Sequence, residues 1–260
     1  MKKHPALGRV FFYSNEGLKV KNALVTGASG AIGREISHML ASNGFRLYLH
    51  YNTNQTAAAK LQKDLKDKYG VPVSMVCADL SKAGGSEDLW NQIQVPLDVF
   101  VYNSGSAHFG LLTDFTEESI SETMQLNLLS AISLSKAIVP SMIQKKSGKI
   151  IMITSVWGEV GAACETVYSA AKGGLNTFVK ALSKELAPSH IQVNGISPGV
   201  ISTPMMDQFT EEEKRSLADD IPAGRFGEPG EVAHAVEFLM SKKAGYISGH
   251  ILSINGSWFT

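Results

Sequence analysis

Cysteine is scarce in this chain: Cys77 and Cys164 are the only two among 260 residues. Two thiols this far apart form neither a disulfide scaffold nor a metal-type cluster, and in a domain this large they point to a reducing compartment, the cytoplasm. The seven histidines show no ligand spacing, so no metal is expected. Net charge is lacking as well, since 24 Lys and Arg balance 24 Asp and Glu. No global field therefore directs the chain to nucleic acid or to an anionic membrane. No apolar run reaches the roughly 20 residues of a membrane span. The opening stretch MKKHPALGRVFFYSNEG is basic, but Arg9 breaks its short apolar patch, so it does not read as a signal peptide. Residues 1–19 read instead as a flexible extension or as the product of an upstream start codon, followed by one domain over 20–260.

What is present is an ordinary globular composition, long enough to bury a sizeable core. Short apolar runs alternate with helical patterns. ALVTG, RLYLHY, VPVSMVCADL, LDVFVYNSG, GKIIMITS, IQVNGISPG and HILSING read as strands. Between them, Ile32, Ile36, Met39 and Leu40 recur at helical spacing up to Gly44. Further helices are expected over 55–69, 86–94, 116–145, 166–187, 205–218 and 229–240. Alternation of this kind predicts an α/β Rossmann fold: a single-domain, doubly wound, mostly parallel seven-stranded sheet with helices on both faces. Ligands of such sheets lie at the carboxyl ends of the strands, and the residues that carry chemistry here do follow strands.

The stretch TGASGAIG follows the first strand and opens the first helix. Gly27, Gly30 and Gly33 allow a pyrophosphate to approach the backbone, and the helix start offers free N–H groups. A tight turn without ligand is the plainer alternative. The second strand ends in LHYNTNQ, with no acid from Phe45 to Lys60. An acid there would hold the ribose hydroxyls of NAD. Asn52 and Thr53 suit a 2′-phosphate instead, so NADPH is expected over NADH.

In YSAAK, Tyr168 and Lys172 stand at i and i+4 and share a helix face. An ammonium beside a phenol favours the phenolate, which would let Tyr168 trade protons with a substrate oxygen. An exposed surface pair is the commoner use of this spacing. Against it, Ser169, Ala170 and Ala171 keep the helix slender, and Ser155 ends the strand just upstream.

These residues resemble the short-chain dehydrogenase/reductase family from about residue 20 to the end. TGASGAIG, ADL with Asp79, NSG at 103–105, Asn127, Ser155, YSAAK and SPGVISTPM occur in family order. The resemblance implies that Ser155, Tyr168 and Lys172 form the catalytic set. Tyr168 would be the proton donor, Lys172 its tuner and ribose ligand, Ser155 the carbonyl polariser, and Asn127 the holder of a relay water. It implies Asp79 at the adenine, with a local cap shared with Ser81 as the alternative. Asn103 and Gly105 would line the cofactor, and Thr203 with the Ile201 backbone would hold the carboxamide. Ser29, Ile32, Leu80, Ser104, Pro198 and Gly199 complete the implied cofactor shell. Two departures stand out: Ala31 replaces the family's middle glycine, and Ser104 replaces an alanine.

Within the family, INGSW and PAGRFGEPGEVA resemble 3-oxoacyl-[acyl-carrier-protein] reductases. LHYNTNQ, NSGSAHFG, SVWGEVGAACETVYS and MMDQFT are closer to reductases of the 5-aminopentanone on modified elongation factor P. That substrate carries a cationic amine, for which Glu159 and Glu165 are candidate partners. A helix-start acid (Glu165) and a solvated loop acid (Glu159) are the alternatives. Trp157 and Phe109 are candidates for the pocket wall, with plain packing as the alternative. Lys145, Lys146 and Lys149 could dock an acidic carrier protein or simply complement a helix end. Cys164 is expected to be inert. A silent cofactor sensor is disfavoured because the catalytic set is complete. The resemblance also implies a homotetramer formed through the helices at 116–145 and 166–187 and the last strand.

Overall fold

The computed structural model describes residues 20–93, 95–204, 206 and 210–259. The expected flexible extension at 1–19 lies outside the described residues, as do Met205 and residues 207–209 of MMDQFT.

Seven strands form one sheet: β1 (Asn22–Val25), β2 (Arg46–Tyr51), β3 (Val73–Cys77), β4 (Val99–Tyr102), β5 (Gly148–Ile153), β6 (Ile191–Pro198) and β7 (Ile251–Ile254). Their order is β3-β2-β1-β4-β5-β6-β7, and every pairing is parallel. The parallel sheet follows from inner strands that are buried on both sides, while the edge strands β3 and β7 are partly exposed. In β1, Ala23 and Val25 face one core and Leu24 the other. The first core is covered by α1 (Ala31–Ser42), α2 (Gln55–Tyr69) and α9 (Pro229–Met240). The second is covered by α3 (Gly85–Trp90), α5 (Ser130–Lys145) and α7 (Thr166–Leu186). Because β1 neighbours both β2 and β4, the chain reverses its direction of travel across the sheet there, and a crevice opens at the carboxyl ends of these strands.

Two expected helices have different bounds. The one at 205–218 is α8 (Glu211–Asp219). Its start is set by a capping box, in which Thr210 Oγ1 accepts from Glu213 N–H at 3.2 Å and Glu213 Oε2 accepts from Thr210 N–H at 2.8 Å. The one at 86–94 ends at Trp90, and Gln92 instead clamps the end of β3, bonding both Cys77 N (3.0 Å) and Cys77 O (2.8 Å).

The long helix is interrupted. α4 (Glu117–Met124) passes through a π-helical turn, Gln125–Leu129, into α5. The whole run, Glu117–Lys145, is long and apolar enough to cross a membrane by length and composition. Here it is a layer helix, and 44% of its apolar window is buried. The π turn inserts a residue into the helical register and turns Asn127 inward.

Candidate active site

The glycine-rich turn runs from β1 into α1. Gly27 has φ +60, a left-handed conformation that a side chain rarely tolerates. A Cβ on Gly33 would stand 2.3 Å from Gly27 O and 2.9 Å from Ala28 Cα, so the helix lies directly on the turn. The first turn of α1 carries no acidic residue, and Gly30 gives no side-chain cap. Its N–H groups are thus left to a ligand, and the turn fits a nucleotide pyrophosphate. Ser29, Gly30 and Ile32 lie at this helix start. Ala31, in place of a glycine, begins α1 without disturbing it.

Two residues that the sequence reading passed over hold this platform together. Thr26 is fully buried, and its Oγ1 accepts from the N–H groups of Asn103 (2.9 Å) and Ser104 (3.0 Å). His50 is 3% exposed. Its Nδ1 accepts from Gly27 N–H at 3.1 Å, and its Nε2 lies 3.1 Å from Ala78 O. One neutral imidazole, protonated at Nε2, therefore ties the glycine turn to the end of β3. The Ser104 hydroxyl adds a longer contact to Nδ1, at 3.4 Å. Asn103 Nδ2 donates to Gly27 O at 3.1 Å.

Burial pushes His50 down to about 4, against smaller opposing effects of its bond to Ala78 and of Asp79. A base whose folded value is lowered gives stability that is complete above its unfolded value, about 6.5, and lost as the pH falls through 4. The difference amounts to about 3 kcal/mol. Unfolding free energy measured between pH 6.5 and 4 is therefore expected to fall more steeply in the wild type than in His50→Gln, by up to one proton. Equal slopes would show that His50 does not carry this term.

Asp79 Oδ1 accepts from Ser81 N–H at 2.9 Å and from Ser81 Oγ at 2.6 Å. These bonds, the hydroxyl first, hold the carboxyl below its usual range. They close a local turn, because α3 begins only at Gly85. The Leu80 side chain is 1% exposed and belongs to the second core, so it can offer a ligand only backbone. Asn52 and Thr53 stand exposed at the end of β2. Beside them, a groove between α1 and α2 is lined by Ser29, Arg34 and Lys60, and also by Glu35, Asp64 and Asp67. On the far side of the crevice Pro198 closes β6, and its carbonyl accepts from Val156 N–H at 3.0 Å. Gly199, Ile201 and Thr203 follow, with Ile201 bridged to Gly227.

Ser155 follows β5, and Tyr168 and Lys172 lie on the first turns of α7. The Ser155 side chain stands near enough to Tyr168 to lower its phenol. Lys172, 3% exposed, donates to Ile153 O at 3.0 Å, and its Nζ sits 5.5 Å from the Tyr168 ring centroid. The expectation that Lys172 makes Tyr168 acidic is not met in this geometry. Burial pushes the phenol up to about 12; the Ser155 side chain opposes this and Glu165 adds to it. Burial also pushes Lys172 down to about 8. Desolvation favours the neutral form of each group. Tyr168 therefore enters any reaction with its proton on.

Asn127 is fully buried and donates to Ser106 O (2.9 Å) and Thr123 O (3.0 Å), while its Oδ1 has no partner. A Cβ on Gly105 would lie 2.8 Å from that Oδ1 and 3.2 Å from Lys172 Nζ. The glycine thus lets an orphan acceptor and a buried amine face one space, which suits a bridging water.

On the substrate side, the two candidate acids part company. Glu165 immediately precedes α7 and is half-buried, with the Trp157 side chain as a polar neighbour. Burial raises its carboxyl above the ordinary range, against the smaller opposing effect of Trp157. Glu159 is exposed and meets Ser253 Oγ at 3.4 Å, out on the last strand. Phe109 is 82% exposed, so it is not packing. The lysines do not border the crevice. Lys145 ends α5 and pairs with Asp98 at 2.8 Å, Lys146 follows it, and Lys149 is the second residue of β5. All three sit at the amino end of the sheet, opposite the site. A carrier drawn to them would dock on the wrong end.

Comparison with known proteins agrees with this geometry. A family model described as short chain dehydrogenase matches residues 21–214. The uncharacterized oxidoreductase YmfI of Bacillus subtilis is 51% identical over 92% of this chain and 98% of its own. A 3-oxoacyl-[acyl-carrier-protein] reductase of Haemophilus influenzae is 39% identical, again over 92% and 98%. Among solved structures, YwfH, titled an NADPH dependent reductase involved in bacilysin biosynthesis, superposes with a TM-score of 0.87. It is 26% identical, and the match covers 93% of this chain and 99% of that one.

Proposed function

Because the chain belongs to the short-chain dehydrogenase family and is an oxidoreductase, we propose that it reduces a ketone to a secondary alcohol with NADPH, and that this ketone is the 5-aminopentanone group on modified elongation factor P. The observation that carries the substrate reading is Glu165. It places a half-buried carboxylate beside Tyr168, and among the described residues it takes part in no ion pair. Such a group is a poor neighbour for an apolar acyl chain and a good one for an alkylammonium.

The glycine turn, Asn103, Lys172 and the 198–203 loop would hold the nicotinamide cofactor, which would supply the hydride. The protein manages the proton. Trp157 N–H donates to Ser155 Oγ at 3.2 Å, which leaves the Ser155 hydroxyl proton free to point at Tyr168 or at a carbonyl oxygen. Tyr168, neutral at working pH, gives its proton to the developing alkoxide. The phenolate it leaves faces the Lys172 ammonium, and an amine near 8 exchanges its own proton readily around neutrality. Asn127 Oδ1 then accepts from the water that links Lys172 to solvent.

NADPH is favoured over NADH by the exposed, acid-free end of β2 at Asn52 and Thr53, and by Arg34 and Lys60 in the adjoining groove. The acids of that groove offset part of this attraction. The neighbour YwfH is titled NADPH dependent. A cytoplasmic homotetramer built through α5, α7 and β7 belongs to the same reading. Leu129 and Ile143, 44% and 43% exposed, leave apolar surface on that helix layer.

A 3-oxoacyl-[acyl-carrier-protein] reductase is the second reading, favoured by the Haemophilus relative. The two separate on purified protein. Glu165→Gln is expected to raise KM for the aminoketone about tenfold, the worth of one charge-assisted bond, and to leave KM for a 3-oxoacyl thioester unchanged. Efficient turnover of the thioester, with the aminoketone indifferent to Glu165→Gln, would favour the second reading.

A further inference from the structure

Trp157 makes three contacts that bear on the site. Its backbone N–H donates to Ser155 Oγ at 3.2 Å, its side chain is a polar neighbour of Glu165, and its ring meets two aromatic residues from the end of the chain. Trp258 stands edge-on at 5.0 Å between centroids, and Phe259 at 5.7 Å. These two rings also touch each other, at 4.8 Å. The trio belongs to neither hydrophobic core.

Trp157 opens α6 (Trp157–Val160), a single helical turn that ends at Gly161 with φ +75. A turn this short has no stability of its own, so its place is set by what touches it. On one side, Asn176 Nδ2 holds Gly158 O at 3.0 Å. On the other are the two terminal rings, together with Ser253, whose Oγ donates to Glu159 Oε1 at 3.4 Å. The chain bends back to deliver the rings. Gly256 and Ser257 both take positive φ, +61 and +65. Asn255 secures the bend, its Oδ1 accepting from Ser257 N–H at 3.0 Å and its Nδ2 donating to Phe259 O at 2.7 Å. A serine in left-handed conformation is costly, and this bend places two large rings against the residue that orients Ser155 and Glu165.

We propose that Trp258 and Phe259 are positioning residues: they clamp Trp157, and through it hold the Ser155 hydroxyl and the Glu165 carboxylate toward the substrate. The part of this that concerns Glu165 rests on the cationic-substrate reading, and the part that concerns Ser155 does not. Aromatic rings beside a carboxylate also suit an alkylammonium arm, which prefers the face of a ring.

The test uses the full-length protein carrying Trp258→Leu and Phe259→Leu together, with Trp258→Phe as the conservative variant. The substrates are an aminoketone and its neutral analogue, with methyl in place of the amine. For the double variant the expected result is a rise of about tenfold in KM for the ketone, with KM for NADPH and the thermal midpoint unchanged. The preference for the amine over the neutral ketone should fall to the level of Glu165→Gln. Trp258→Phe should restore both. Unchanged KM for both ketones would overturn the proposal, as would KM for NADPH and the midpoint moving together with the ketone KM. Should the wild type show no preference for the amine, the substrate reading fails on that result alone, and the clamp is still decided by the KM of the neutral ketone.

Discussion

Tyr168→Phe is expected to lower kcat by roughly a thousandfold, the range set for a positioned general acid, while the dissociation constant for NADPH stays within about twofold. The substitution keeps the ring beside Lys172 Nζ and removes only the hydroxyl on the Ser155 side. Nothing in the glycine turn depends on it. The loss corresponds to about 4 kcal/mol of transition-state stabilisation. It should appear in kcat and in kcat/KM alike, because the proton moves only in the transition state. The measurement is single-turnover reduction alongside fluorescence titration of the cofactor. A kcat within tenfold of wild type would mean that the proton comes from elsewhere, with Ser155 the next candidate. Since burial holds the phenol near 12, the wild-type rate of reduction should not decline through loss of the Tyr168 proton anywhere near neutrality.

Gly33→Ala should cost at least about a hundredfold in cofactor affinity. The added Cβ would lie 2.3 Å from Gly27 O and 2.9 Å from Asn103 Nδ2, and the first of these is backbone that cannot swing aside. Either α1 lifts from the turn or Gly27 leaves its left-handed conformation, and in both cases the N–H groups lose their common aim. Gly30→Ala is the control for fold integrity, because a Cβ there meets only Gly27 O at 3.4 Å, an ordinary contact. Thermal stability should therefore drop in Gly33→Ala and hold in Gly30→Ala. Near-wild-type NADPH affinity in Gly33→Ala would mean that the cofactor does not use this turn.

Much of this architecture is legible in the sequence for simple reasons. The five inner strands, β1, β2, β4, β5 and β6, are buried on both faces and so must be largely apolar, which makes their runs stand out, and a parallel sheet places its ligand where the runs end. Tyr168 and Lys172 share a face by helical spacing alone. What the chain does not display is anything set by tertiary burial. The spacing shows that an amine stands near a phenol; it does not show that both are desolvated, and this reverses the expected shift of Tyr168. His50 reads as one polar residue among several in LHYNTNQ, yet the fold buries it and makes it the pin between Gly27 and Ala78. The lysines at 145, 146 and 149 are close in sequence to Ser155, but they precede or begin a strand of six residues that runs on to Ser155, which carries them to the other end of the sheet. Asn127 was recognisable by its place in a motif, whereas the π turn that aims it leaves no local mark. The start of α8 was readable after all, since Thr210 followed by Glu213 is a capping signature.

The most direct test of the account is the intact mass of elongation factor P taken from cells that lack this protein. The account predicts a modified form lighter by two hydrogens than in the parent strain, the mass of an unreduced ketone, and its conversion to the parent mass when purified protein and NADPH are added. An unchanged mass would contradict the aminopentanone reading and turn attention to 3-oxoacyl thioesters as the substrate of the same site.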